Sequence, residues 1–86
     1  MADEKHVTLR YFASVREALG CDTERWQTRA ATVTALHAEL LNRGAPWADA
    51  LSAKGLRMAH NHAMVAGEVA LSAGDEVAFF PPVTGG

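Results

Sequence analysis

The sequence predicts an α+β fold in which a mixed sheet packs on one main helix, and three observations predict it. Strand-type alternation occurs near both ends of the chain, in "HVTLRYFA" and in "EVAFF". A clear amphipathic helix, "VTALHAELL", lies between them. The elements run strand, strand, helix and then several strands, which departs from strict strand–helix alternation. Covering the apolar stripe of one helix with one sheet face is the economical packing for that order.

In the first strand, Val7, Leu9 and Tyr11 point to one side and Thr8, Arg10 and Phe12 to the other. "SVREALG" then predicts a short helix, with Ser14 as its N-cap and Gly20 as its stop. "TERWQT" predicts a second strand whose partner is the first, with the short helix inserted between them. The main helix begins after Thr32, a good N-cap, and runs toward Gly44. Val33, Leu36, Leu40 and Leu41 share one of its faces, and Pro46 opposes its continuation. "LRMAHN" and "MVAG" predict two short strands separated by a turn near Asn61. "SAGDE" is small, polar and glycine-containing, so it predicts a turn into the last strand, "EVAFF".

The expected core is Val7, Leu9, Tyr11, Val33, Leu36, Leu40, Leu41, Leu56, Met58, Val77 and Phe79. If Val77 and Phe79 face the helix, Ala78 and Phe80 face the opposite side, and Phe12 joins them there. Large apolar groups gathered on an exposed face mark an interface. The alternative is a strand register displaced by one residue, which would turn them inward.

Composition sets the function classes. The 86 residues predict one domain over 1–86, long enough to bury a little over ~60% of its unfolded surface. Net charge is −2 and no basic stripe is present, so nucleic acid is not the expected partner. "MADEKH" is polar, unlike a signal peptide, and no apolar run is long enough to span a bilayer. A cytoplasmic protein with no membrane partner is the expectation. Cys21 is the only cysteine, which excludes an internal disulfide and a CxxC site.

Few side chains suggest chemistry. "HNH" at His60–His62 would set two histidines on one face if it were a strand, but no third ligand stands near, so no metal is expected. A turn with solvated histidines is the other reading. Asp22 and Glu24 work against a lowered Cys21 pKa, so Cys21 reads as an unreactive thiol near a turn. No phosphate-binding glycine loop occurs. Trp26 and Trp47 read as packing residues, because no basic groove accompanies them.

The end of the chain, "FFPPVTGG", is different. Phe79 and Phe80 anchor the last strand, and Pro81 and Pro82 favour a stiff, extended exit. Gly85 and Gly86 are slim enough to thread a narrow channel, and no Cβ screens the terminal carboxyl. Residues 81–86 therefore read as a tail that carries a carboxylate on a short, aimed tether. With a pKa of about 3.5 that group is ionised and unreactive at neutral pH, and adenylation by a partner is one way it could be activated.

"GDEVAFFPPVTGG", together with "FASVREALG", "TVTALHAELL" and "NHAMV" in that order, resembles the small subunits of molybdopterin synthase. These are ubiquitin-like sulfur carriers with the β-grasp fold. The resemblance spans nearly the whole chain, and its C-terminal motif is the specific part. It implies that Gly86 is adenylated by an ATP-dependent activating enzyme and then converted to a thiocarboxylate, with sulfur supplied by a donor protein. It implies sulfur delivery to cyclic pyranopterin monophosphate in the active site of a large subunit, usually within a heterotetramer. Val83, Thr84, Gly85 and Gly86 would insert into that subunit, and Phe12, Met64 and Phe80 would form the docking surface. The small subunit would bind no cofactor and catalyse nothing alone. His60 and His62 depart from the apolar or neutral residues expected beside Asn61, and their role, in the turn or at the partner surface, is open. A sulfur carrier for another pathway, a protein modifier, and a non-catalytic β-grasp interaction module are the competing readings.

Overall fold

The computed structural model describes residues 4–65 and 68–81. Its elements are β1 (Lys5–Tyr11), α1 (Ala13–Leu19), β2 (Thr23–Thr28), α2 (Val33–Leu41), α3 (Trp47–Ala50), β3 (Arg57–His60), β4 (Ala63–Val65) and β5 (Glu76–Phe80). The sheet order is β2-β1-β5-β3-β4. β5 pairs parallel with β1, and the other pairings are antiparallel. A mixed five-stranded sheet that grips a central helix in this order is the β-grasp arrangement.

The alternation in β1 sets the two faces. Val7, Leu9 and Tyr11 are buried against the helices, while Thr8 and Arg10 turn to the opposite face. β5 sits between β1 and β3 and buries Val77, Ala78 and Phe79, as a central strand must. α2 buries Val33, Leu36 and Leu40. Its N-cap is Thr32, whose hydroxyl accepts the Ala35 N–H at 3.1 Å, satisfying a donor the helix cannot.

Several boundaries differ from the sequence expectation. The N-cap position of α1 is Phe12 and not Ser14, which lies within the first turn. Phe12 stays extended because its N–H donates to the Phe79 carbonyl of β5 at 3.2 Å. The strand pairing thus holds the residue before the helix. α2 ends at Leu41, short of Gly44, and Pro46 opens α3, a single turn too short to show periodicity. Leu41, Leu56 and Met58 lie at the edge of the core rather than inside it. Val15, Leu51 and Leu71 are buried instead. They sit on short or irregular segments, where spacing says little about which face is inward.

A polar network ties β2 to the loop after α2. The Arg43 guanidinium donates twice to the Glu24 carboxylate, at 3.1 Å each. It lies between two indoles, 4.3 Å from the Trp26 ring and 3.7 Å from that of Trp47. Tyr11 donates its hydroxyl to Glu24 at 2.9 Å. Burial raises the Tyr11 pKa well above its ordinary value, and the neighbouring Glu24 raises it further. Burial pushes Glu24 up too, but the hydrogen bonds from Arg43 and Tyr11 and the Arg43 charge outweigh it and leave Glu24 low. The two tryptophans are thus packing residues around a cation. Arg43→Ala should cost about 2 kcal/mol in urea unfolding, and clearly less in a Glu24→Gln background. Equal costs in both backgrounds would show that the pair is not coupled.

Candidate functional site

The face of the sheet away from α2 carries a groove of about 290 Å³. Its floor is two small residues, Ala59 and Ala78, which are directly paired across β3 and β5. Larger side chains rise around them: Phe12 and Phe80, Met64 on β4, Arg10 on β1, and Glu76 with His62. Alanines at the centre of the sheet leave the depression, because any longer side chain there would fill it.

Phe12 and Phe80 are brought together by the parallel register. Tyr11 pairs with Phe79, and the next residues stack, with ring centroids 4.7 Å apart and planes 10° apart. Arg10 lies over the Phe12 ring, 5.5 Å from its centroid. Met64 is 54% exposed and lies opposite Ala59 in the β3–β4 pair. The three expected docking residues, Phe12, Met64 and Phe80, therefore line one groove. Pro81 follows Phe80 directly, so the chain leaves β5 beside the aromatic stack. The remaining tail residues, Pro82, Val83, Thr84, Gly85 and Gly86, lie outside the described residues.

Arg10, Ala59, His62 and Glu76 also line the groove and were not among the expected site residues. The β1 alternation already set Arg10 on the Phe12 side, and the β5 alternation extends to Glu76. Ala59 could not be placed without the β3–β5 register.

The "HNH" stretch resolves into two environments. His60 ends β3, and Asn61 and His62 form the turn with φ of 50° and 73°. Two successive positive values suit a tight hairpin of right-handed twist. His60 and His62 therefore do not share a strand face. His60 Nε2 meets Asp75 Oδ2 at 2.7 Å, while His62 reaches toward Glu76 at 3.8 Å. Asn61 accepts the Glu76 N–H at 2.9 Å and donates to Asp75 at 3.2 Å. The turn is thereby pinned to the start of β5, which fixes one end of the groove. No group of three metal-ligating side chains occurs among the described residues. Cys21 is raised in pKa, by burial first and by Glu24 and Asp22 next, which keeps its thiol protonated.

Burial pushes the Asp75 carboxyl up, but hydrogen bonds from His60, the Ser72 N–H and Asn61 outweigh it and hold Asp75 low. Its contribution is full above the ordinary carboxylate value near ~3.9 and is lost as pH falls through the lower folded value. Asp75→Asn should cost about 1–3 kcal/mol at neutral pH. In urea titrations at stepped pH, the gap between the native protein and the variant should close below pH ~4. A gap that stays constant down to pH ~2 would contradict this account.

The fold defines the class: a ubiquitin-like β-grasp protein, here with an open groove lined by Phe12, Met64 and Phe80 on the sheet face away from α2. The chain belongs to the ThiS family, whose profile matches residues 9–86. Over 76 residues it is 42% identical to a molybdopterin synthase sulfur carrier subunit of Haemophilus influenzae, covering 88% of this chain and 94% of that one. Over 80 residues it is 41% identical to the subunit of that name from Escherichia coli, covering 93% of this chain and 99% of that one. Among solved structures, it resembles small archaeal modifier protein 1 of Haloferax volcanii. The TM-score is 0.68 at 30% identity, over 92% of this chain and 99% of that one.

Proposed function

We propose that this protein is the sulfur carrier subunit of a molybdopterin synthase and acts in the cytoplasm. The observation that carries the proposal is the junction at Phe80–Pro81. There the chain leaves the sheet beside the Phe12–Phe80 stack, at the rim of an open groove. Near full-length likeness to two bacterial sulfur carrier subunits supports it.

The fold supplies a platform, and the chemistry belongs to the tail. A carboxylate oxygen of Gly86 attacks the α-phosphorus of ATP on an activating enzyme, and pyrophosphate leaves. The terminal sulfur of a donor-protein persulfide then attacks the acyl carbon and AMP departs, and a second thiol cleaves the resulting acyl disulfide, leaving a disulfide on the donor side. The product is a thiocarboxylate at Gly86, unhindered because glycine has no Cβ. The groove docks on the large subunit through Phe12, Met64 and Phe80, with two small and two large subunits in the assembly. Pro81 and Pro82 direct Val83, Thr84, Gly85 and Gly86 into the large subunit's active site. There the sulfur passes to cyclic pyranopterin monophosphate. The subunit binds no cofactor of its own; ATP is consumed on the activating enzyme.

Incubation with the activating enzyme, ATP and a sulfur source should produce the mass increase of one oxygen-to-sulfur exchange at the C-terminus. No such increase with partners of proven activity would refute the proposal. Deleting Gly86 should abolish sulfur transfer and leave thermal unfolding unchanged. Met64→Lys should weaken large-subunit binding by on the order of tenfold or more, with the fold intact, since it places a charge in an apolar contact.

A second reading is a protein modifier, favoured by the likeness to the archaeal modifier protein. It uses the same activated Gly86 but ends in an amide to a lysine of the target. Covalent adducts recovered by mass spectrometry, without pterin conversion, would select it.

A further inference from the structure

The chain as a whole is acidic, with a net charge of −2, yet its docking face is not. The registers place Arg10, Arg25 and Arg57 on that face, against a single strand carboxylate, Glu76. Glu4, at the opposite end of β1, is taken up by Arg29 at 3.3 Å. The face therefore carries an excess of positive charge around an apolar centre, while the surplus of negative charge lies elsewhere.

Arg10 is the cation that lines the groove together with Phe12, Phe80 and Met64. Its guanidinium is steadied by the Phe12 ring below, 5.5 Å away. Its nearest carboxylate, Glu76, stands at 3.8 Å, beyond hydrogen-bond reach, and the side chain is 40% exposed. Among the described residues the guanidinium makes no hydrogen bond, so its planar fork of donors is oriented and unspent. A partner that covers the groove must also cover Arg10. Glu76 offers that charge an ion pair but no hydrogen bond, so a partner covering Arg10 leaves its donors unsatisfied unless it supplies an acceptor of its own.

We propose that the docking face selects its partner by charge, and that Arg10 is the specificity-determining residue, receiving a carboxylate from an acidic protein surface. This rests on the sulfur-carrier reading, which makes the occupant the large subunit. The large subunit then presents an aspartate or glutamate that grips Arg10 through two parallel hydrogen bonds. Its acidic residues further out face Arg25 and Arg57, and their role is to speed encounter rather than to hold the complex.

The test is calorimetric titration of the full chain against the large subunit of the same organism at stepped salt, with circular dichroism confirming each variant's fold. Arg10→Gln should raise Kd on the order of tenfold or more, and Arg10→Glu should raise it further. Arg10→Lys, which keeps the charge but loses the fork, should fall between the native chain and Arg10→Gln. In stopped-flow mixing with the large subunit, Arg25→Gln and Arg57→Gln should mainly slow association and flatten its salt dependence. One acidic-to-arginine substitution on the large subunit should rescue Arg10→Glu. Native binding that is indifferent to salt and to Arg10→Gln would overturn charge selection and leave the sulfur-carrier reading standing. Failure of the native chain to bind the large subunit at all would overturn both. Tighter binding to a single-stranded oligonucleotide than to the large subunit would also overturn the proposal, by assigning the basic face to nucleic acid.

Discussion

Parallel pairing of β1 with β5 joins the two ends of the described chain at the middle of the sheet. Tyr11 and Phe79 are brought side by side in the core, and Phe12 and Phe80 stack on the opposite face. One register therefore sets both the hydrophobic interior and the wall of the groove. A slip of one residue would invert every side chain of β5, burying Phe80 and exposing Phe79. The hairpin β3–β4 and its pinned turn complete the groove only because β5 is already fixed between β1 and β3.

How much was legible in the sequence follows from what carries a strong local signal. Period-two alternation in β1 and β5 set apart the residues of the two faces, so Phe12 and Phe80 were placed correctly on the face away from the helix. Thr32 announced α2 through cap chemistry that needs no tertiary context. Ser14 misled because its capping propensity is real but was overridden: the Phe12 N–H was committed to β5. α3 and the burial of Leu51 and Leu71 left no periodic trace, since a single turn or an irregular segment is too short to show a face. The groove itself needed long-range register, because its floor pairs Ala59 with Ala78 across strands. Met64 entered through the family resemblance alone, and the fold sets it beside the aromatic pair.

The side chains of this protein are mostly spent on architecture. Glu24, Arg43 and Tyr11 satisfy one another around the tryptophans, and His60, Asn61 and Asp75 close the turn before β5. Those two networks explain why residue types that elsewhere signal acid–base chemistry are here engaged in structure. Arg10 is not engaged in that way: the Phe12 ring steadies it, and among the described residues its guanidinium makes no hydrogen bond.

The central position of β5 has a mechanical consequence. The strand that leads to Pro81 is bonded along both edges, to β1 on one side and to β3 on the other. A pull on the chain end, directed along the strand, loads those ladders in shear. Their hydrogen bonds run across the strand, so they share the load together instead of opening one after another. An edge strand hauled sideways would unzip bond by bond under far less force. Tension applied at Pro81 along the strand is therefore met by both ladders at once, and the sheet behind it stays closed.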